Sequence, residues 1–226
     1  GFFYLSHNRD SIFDDEIKRR DCLDSKAAHL ASRLDQLISE QRSIFREKID
    51  NFLNIVVPGI GHIVTNRKQN GDQATVSISF DKGKHRIPFQ NLGGGVTHVL
   101  SIALILLGEP NARLLMIEEP ESHLHEGAQR RLIEQIIAHK GTKQIVISTH
   151  SPIFMDKTMA SSVYSVTKLA EQSIIEKKIS NQGQYEILDQ LGVHPSSLLQ
   201  TNCIIWIEGP TERILIKHWI SLWDAE

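Results

Sequence analysis

Apolar residues recur with a helical spacing through the first part of the chain. One series has an apolar residue at every seventh position: Leu23, Leu30, Leu37 and Ile44. A second, intermediate series contains Ala27 and Leu34. This spacing predicts a long helix over residues 11–53. Gln41 and Lys48 interrupt the intermediate series, so the pattern favours a helix packed along a domain or in an interface over a long coiled coil.

The hydrophobic period changes after this helix. Residues 74–80 alternate between apolar and polar, residues 81–84 form a turn, and residues 85–89 supply a partner strand, which predicts a hairpin. Residues 96–107 are apolar on most sides and predict a buried helix. Apolar strands then alternate with helical segments: strands at 114–117, 144–148, 162–167, 173–177 and 203–207, helices at 127–139 and 211–223. This alternation is typical of an α/β fold with a mainly parallel sheet.

Two adjacent acids, Glu118 and Glu119, directly follow the strand predicted at 114–117. In open α/β sheets, ligands bind at the carboxyl ends of the strands. Two neighbouring buried carboxylates are costly unless a cation or a proton stabilises them, and a divalent metal bound to a nucleotide would do so. The alternative is a solvated turn that happens to be acidic.

Three consecutive glycines, Gly93, Gly94 and Gly95, open the predicted buried helix. Glycines let the backbone approach a phosphate closely, and a helix N-terminus offers unpaired N–H groups and a positive dipole end. The same residues would also suit a tight turn without any ligand.

Three histidines lie near the ends of predicted strands. His150 follows the strand at 144–148, where a histidine can hydrogen-bond a terminal phosphate or an attacking water; a structural or surface role is the alternative. His123 and His125 are two positions apart, unlike metal ligands that share a helix face at four apart, so we expect no zinc site there.

The order of these motifs resembles that of ABC-type ATPases. Residues 92–96 are similar to their signature motif, residues 114–119 to the Walker B strand, residues 120–125 to the D-loop, and His150 to the switch histidine. The Glu-Glu-Pro-Glu and Ser-Thr-His-Ser-Pro forms resemble the branch that contains DNA-repair and phage-defence ATPases.

The resemblance implies a role for each of these residues. Glu118, where the family usually has Asp, would hold the Mg²⁺ shell, and Glu119 would polarise the attacking water. His150 would contact the γ-phosphate. The glycines Gly93, Gly94 and Gly95 would complete the ATP site of the opposite subunit, so that hydrolysis needs a dimer.

The phosphate-binding loop of such ATPases is not found in this sequence. The segment Gly83-Lys84-His85 lacks both the spacing and the hydroxyl residue of Gly-x-x-x-x-Gly-Lys-Ser/Thr. The chain also begins at Gly1 rather than at a methionine. We therefore expect a fragment whose N-terminal ATPase half is missing, and we expect no ATP hydrolysis by this chain alone.

A second pair of acids stands near the C-terminal end. Glu208 follows the strand at 203–207, and Glu212 follows a Gly-Pro-Thr turn. The two acids could bind a divalent cation, or Glu212 could simply stabilise the first turn of a helix through the macrodipole.

This C-terminal segment resembles the start of a Toprim domain in the overcoming-lysogenization-defect (OLD) family, which joins an ABC-type ATPase to a Toprim nuclease. The resemblance implies metal binding by Glu208 and Glu212. The later Asp-x-Asp motif of Toprim domains is absent from this sequence, so a two-metal cleavage site cannot be assembled from these acids alone.

Composition narrows the class of protein without changing this picture. The 226 residues are 40% hydrophobic and 23% charged, with a formal net charge of -2, as in ordinary globular proteins. Contact with nucleic acid would therefore need local basic patches. Cys22 and Cys203 are far apart, which favours a reducing cytoplasm, and the apolar stretch 99–107 is too short to cross a bilayer.

Taken together, we expect an α/β chain with three parts: a helical segment at 1–55, the C-terminal lobe of an ABC-type ATPase at 56–190, and a linker with the start of a Toprim domain at 191–226. The expected whole protein is a cytoplasmic homodimer or higher homo-oligomer that binds DNA, ATP and Mg²⁺, with Mn²⁺ or another divalent cation as a candidate at the Toprim site.

Its expected activity is DNA cleavage controlled by the ATP state, in anti-phage defence, with a second defence-system protein as a candidate partner and no membrane association. The alternative is a nucleotide-gated DNA clamp or scaffold ATPase whose Toprim-like end is inactive.

Overall fold

A computed structural model describes most of the first 177 residues and a few near the end: 2–6, 14–16, 25–26, 29–67, 73–80, 85–88, 91–109, 111–155, 160–169, 172–177, 211, 214–216 and 218–219. The chain forms two compact units, Gly1–Ile179 and Ser180–Glu226. In the second unit the described residues are helical. The strand predicted at 203–207, Glu208 and Glu212 lie outside the described residues, and the predicted domain limits stay a prediction.

The described secondary structure of the first unit begins with a strand and ends with a hairpin. In chain order the elements are β1 Phe2–Leu5, β2 Asp14–Glu16, α1 Leu30–Val56, β3 His62–Arg67, β4 Gln73–Phe80, β5 His85–Pro88, α2 Gly94–Gly108, β6 Leu114–Glu118, α3 Glu126–His139, β7 Gln144–Ser148, a 3₁₀ turn Pro152–Met155, β8 Tyr164–Leu169 and β9 Gln172–Lys177.

Three parallel strands form the sheet that carries the predicted site. Their order is β1-β6-β7, with Leu5 level with Ile117, and Glu118 level with Ser148. Leu115 and Ile117 are fully buried in the core that α1, α2 and α3 share. The predicted α/β fold with a parallel sheet is therefore confirmed, and β6 at its centre ends at the acidic pair.

Some apolar side chains of this sheet are exposed. Phe2 is 60% exposed and Val146 is 42% exposed, although parallel strands are ordinarily covered on both faces. Apolar side chains of β1 and β7 thus face solvent beside the strand that leads to Glu118.

The prediction of a helix over residues 11–53 is wrong for the first part of that range. Residues Asp14–Glu16 form β2, which pairs antiparallel with β4, and α1 begins only at Leu30. Strand pairing depends on partners distant in sequence, so a local repeat cannot reveal it. The same reason explains why β1, which pairs with β6, was not predicted.

The sevenfold apolar repeat also fails within α1. Leu30 and Leu37 are buried, but Ile44 is 64% exposed, and Phe45 takes the buried position beside it. A straight helix rotates a seven-residue repeat by ~20° per heptad. The core side of α1 therefore continues through Phe45 and Ile49 instead of through Ile44.

The strands β4 and β5 agree with the periodicity of the sequence, whereas β3 was not predicted. β4 pairs antiparallel with both β3 and β5, which confirms the hairpin predicted for 74–80 and 85–89. β8 and β9 form a separate antiparallel pair. Among the described helices, none combines the length and the apolar character needed to span a membrane.

Buried polar contacts fix α1 against its neighbours. Arg33 Nη2 lies 2.8 Å from Glu109 Oε1 just after α2, and both side chains are almost fully buried. Asp50 Oδ1 accepts a hydrogen bond of 2.8 Å from the backbone N–H of Ile63 in β3. These contacts hold α1 beside the helix that the glycines open and beside the antiparallel sheet.

Candidate functional site

The acidic pair lies where the central strand turns into a loop. Glu118 is the last residue of β6, and Glu119 adopts a left-handed backbone conformation with φ of 42°. The N–H of Glu119 still donates a hydrogen bond of 2.8 Å to the carbonyl of Ser148 in β7. Left-handed backbone is uncommon outside glycine and concentrates at functional sites.

The two carboxylates have different partners. Glu118 Oε2 accepts a hydrogen bond of 3.3 Å from Ser6 Oγ, whereas Glu119 Oε2 accepts one of 3.3 Å from Ser122 Oγ. Both glutamates are half-buried. The pair is therefore accessible from solvent, and hydroxyl groups stabilise each carboxylate separately.

Strand β1 supplies two residues that the sequence did not predict for the site. Besides the Ser6 contact, Tyr4 forms a hydrogen bond with the carboxylate of Glu118, and this bond, with smaller effects of burial and of the negative charge, raises the pKa of the Tyr4 phenol. Because the parallel pairing of β1 with β6 was not predicted, no signal in the sequence pointed to Tyr4 or Ser6.

His150 comes close to Glu119, as expected from the adjacent strand ends. Glu118 and Ser148 are level in β6 and β7, and His150 Nε2 lies 3.8 Å from Glu119 Oε1. The imidazole side chain is 80% exposed. The two groups thus lie close together, and both are accessible from solvent.

Glu121 joins the loop after β6 to the loop after β7. Its Oε1 accepts hydrogen bonds of 2.7 Å from Thr149 Oγ1 and of 2.7 Å from the backbone N–H of His150. In the sequence, Glu121 is predicted only to lie in the segment 120–125 that is similar to the D-loop. A charged residue in a loop has no periodic pattern that would reveal such a contact.

The three glycines have different surroundings. Gly93 caps α2 and is exposed, and a Cβ there would meet no atom within 4 Å. At Gly95 a Cβ would lie 2.6 Å from the carbonyl oxygen of His123 and 2.8 Å from Leu124 Cδ2. Gly95 is therefore required by close packing, whereas Gly93 borders open space in which an anion could approach the backbone.

Gly94 packs against His123, next to the helix cap formed by His125. A Cβ at Gly94 would lie 3.2 Å from His123 Cδ2, and the His123 ring meets the buried His98 ring edge-on with centroids 5.5 Å apart. His125 caps α3, because its Nδ1 accepts a hydrogen bond of 3.2 Å from the N–H of Ala128. The glycine segment thus contacts the far end of the loop that starts at Glu119.

A metal site complete in itself does not occur in the described part of the chain, where no three His, Cys, Asp or Glu residues cluster. Mg²⁺ in nucleotide sites usually takes one or two carboxylates, with water and phosphate oxygens as further ligands. The accessible oxygens of Glu118, held by Ser6 at the end of β6, fit that requirement.

The fold of this domain is similar to that of SMC ATPase heads. A solved structure described as "Structural biochemistry of ATP-driven dimerization and DNA stimulated activation of SMC ATPases" matches with a TM-score of 0.54 and 13% identity, over 71% of this chain and 97% of that chain. At this identity the likeness establishes the fold, which is that of an SMC-type ATPase head.

The chain belongs to the family described as "AAA domain, putative AbiEii toxin, Type IV TA system", which matches residues 4–156. Endonuclease GajA of Bacillus cereus (strain VD045) is 26% identical over 188 residues, covering 80% of this chain and 31% of the relative. OLD nuclease of Thermus scotoductus (strain ATCC 700910 / SA-01) is 33% identical over 107 residues, covering 45% and 20%. The resemblance to the OLD family is confirmed, and the chain spans about a third or less of the length of these relatives.

Proposed function

We propose that this chain is part of an ATP-hydrolysing, metal-dependent DNA endonuclease of the OLD type. The carrying observation is the separation of 3.8 Å between Glu119 Oε1 and His150 Nε2, at the carboxyl ends of neighbouring parallel strands. Ligands bind at this edge in open α/β sheets. The relatives named as nucleases support the second activity.

In the proposed ATP site each residue has one task. Glu118 would hold the Mg²⁺ shell, and the ion, when bound, would neutralise charge on the phosphates. Glu119 orients and polarises the attacking water, and His150 donates a hydrogen bond to the γ-phosphate. A positioned base of this kind typically contributes a factor of ~10²–10⁴ to the rate.

The proposed ATP site needs a phosphate-binding loop and an accessible glycine segment in addition to Glu118, Glu119 and His150. The sequence contains no phosphate-binding loop, and Gly94 and Gly95 contact His123 and Leu124. The exposed backbone at Gly93 would instead approach the nucleotide of a second copy, where its N–H groups stabilise charge on the transferring phosphoryl group. The structural relative described with ATP-driven dimerization supports a homodimer.

The proposed cleavage activity depends on residues outside the described part of the chain. Glu208 and Glu212 would bind Mg²⁺ or Mn²⁺ within residues 191–226, with further acids supplied by the whole protein, and the ATPase lobe would occupy residues 56–190. The proposed setting is anti-phage defence in the cytoplasm, with the nucleotide state controlling DNA cleavage.

Plasmid nicking by the full-length protein tests this proposal. We expect nicks with Mg²⁺ or Mn²⁺, a change in their rate when ATP is added, and loss of that change in Glu119→Gln. Glu208→Ala is expected to abolish nicking while ATP hydrolysis continues. Absence of nicking by the wild-type protein under all four conditions would contradict the endonuclease assignment.

A nucleotide-gated DNA clamp or scaffold is the second candidate, and the SMC-type fold favours it. In that case the full-length protein would hydrolyse ATP and bind DNA without cutting it. A clamp would stay bound to circular plasmid but not to linear plasmid, and Glu119→Gln would lose this retention, which distinguishes the clamp from the nuclease. A scaffold would keep its biological activity in the Glu119→Gln variant.

A further inference from the structure

Glu121 uses one carboxylate oxygen for two short hydrogen bonds. Its Oε1 accepts from Thr149 Oγ1 and from the N–H of His150, each at 2.7 Å. Its Oε2 is buried and has no hydrogen-bond partner among the described residues. Leaving a carboxylate oxygen buried in this way is unfavourable, so the loop geometry around Glu121 is maintained at a cost to stability.

A network of side chains extends from this carboxylate. Thr149 Oγ1 accepts from the N–H of Ser151 at 2.9 Å, and Ser151 Oγ donates to Gln129 Oε1 at 2.6 Å. Gln129 Nε2 donates in turn to the carbonyl of Leu124 at 2.8 Å. The loop after β6 and the loop after β7 are therefore connected at two places, through Glu121 and through Gln129 of α3.

Among the described residues, no hydrogen bond of comparable length reaches the His150 ring. Its side chain is 80% exposed and its Nε2 lies 3.8 Å from Glu119 Oε1. The hydrogen bond from the backbone N–H of His150 to Glu121 acts directly on the residue that carries the ring. The loop that carries Glu119 is the same loop that carries Glu121.

We propose that Glu121 is a positioning residue that sets His150 relative to Glu119, so that His150 reaches the terminal phosphate while Glu119 reaches the attacking water. This inference rests on the proposed ATPase function. A displacement of ~1 Å in a catalytic group can lower a rate by about a hundredfold. Since Glu121 touches neither proposed ligand, it acts through His150.

Three substitutions separate this role from general stabilisation. Glu121→Ala removes both hydrogen bonds to Oε1, and Glu121→Gln keeps an oxygen that accepts them. Thr149→Val removes one of the two, together with the hydrogen bond that Thr149 Oγ1 accepts from the N–H of Ser151. Glu134, an exposed residue of α3, provides the matched control Glu134→Ala. In the full-length protein we expect Glu121→Ala to lower kcat for ATP at least ~10-fold with KM changed less than ~3-fold, and Glu121→Gln to restore most of kcat.

Hydrogen exchange at the His150 amide gives a readout that needs no nucleotide. We expect exchange at least ~10-fold faster in Glu121→Ala, intermediate in Thr149→Val, and near wild type in Glu121→Gln and Glu134→Ala. If Glu121→Ala does not fold, the faster exchange expected in Thr149→Val decides the matter.

The two readouts separate the two proposals. Unchanged His150 exchange in both Glu121→Ala and Thr149→Val would overturn the positioning role, whatever happens to ATP hydrolysis. A wild-type protein without ATPase activity would instead overturn the proposed function, while accelerated exchange in the variants would still support the contact between Glu121 and His150.

Discussion

Two acid–base pairs in this chain are built in opposite ways. Arg33 and Glu109 lie 2.8 Å apart, with side chains only 7% and 9% exposed. His150 and Glu119 lie 3.8 Å apart, with side chains 80% and 37% exposed. The first pair is desolvated and fixed, whereas the second is accessible and separated.

The difference indicates what each pair contributes. A buried pair holds two elements together, because removing one partner leaves an uncompensated charge. An exposed pair contributes little to stability, and both of its groups stay accessible to a ligand. The left-handed backbone of Glu119, with φ of 42°, adds strain of a kind found at functional sites.

The largest expected effect is on the rate of ATP hydrolysis. In the full-length protein, Glu119→Gln should lower kcat by ~10²–10⁴-fold, because the proposed water-polarising group is lost. Its free energy of unfolding should change by less than ~0.5 kcal/mol, as for other surface substitutions. Steady-state kinetics and urea unfolding measure the two quantities; a large loss of stability with normal kcat would reverse the assigned roles.

The buried pair should show the converse behaviour. Arg33→Met is expected to lower the free energy of unfolding by about 3 kcal/mol, since Glu109 keeps a buried charge. Urea denaturation measures the loss, with Glu134→Ala as an exposed control. A loss below ~1 kcal/mol would show that the pair is not a structural clamp.

Substitutions at Gly95 and Gly93 should differ in their effect on stability, by less than the change expected for Arg33→Met. Gly95→Ala should destabilise by ~1–3 kcal/mol, because the added Cβ would meet the His123 carbonyl oxygen and the backbone must move. Gly93→Ser should cost nothing measurable, since the position is open and serine caps helices well. Thermal unfolding of both variants checks this, and equal effects would contradict the distinction.

The smallest effect concerns Tyr4 beside Glu118. Hydrogen bonding to Glu118 raises the pKa of Tyr4 in the folded protein, so the folded state retains its proton longer than the unfolded state. The stability that this bond contributes is present below about pH 10 and is lost as pH rises further. Unfolding midpoints of wild type should therefore fall more steeply than those of Tyr4→Phe in alkaline buffer; parallel curves would argue against the bond.

The local sequence pattern was sufficient to predict the central elements of the fold. β6, β7, α2 and α3 have apolar runs or stripes of the right length, bounded by glycine, proline or acids. The same runs made Glu118, Glu119 and His150 predictable as neighbours, because parallel strands bring their carboxyl ends to one edge.

The features that sequence did not reveal depend on contacts between distant segments. β1 and β2 were missed because their partners are β6 and β4. Tyr4 in β1, and Ser6 and Glu121 in loops, were missed for the same reason, since each side chain contacts a residue distant in sequence. Ile44 was misassigned because a sevenfold repeat drifts around a straight helix.

The central claim is that the acids and the glycines of one chain serve different ATP sites of a dimer. Mixing two inactive full-length variants tests it, one carrying Glu119→Gln and the other Gly93→Trp. In a symmetric dimer, random mixing should restore about a quarter of wild-type ATP hydrolysis, because mixed dimers contain one intact site. No activity above that of the separate variants, with subunit exchange verified, would contradict the claim.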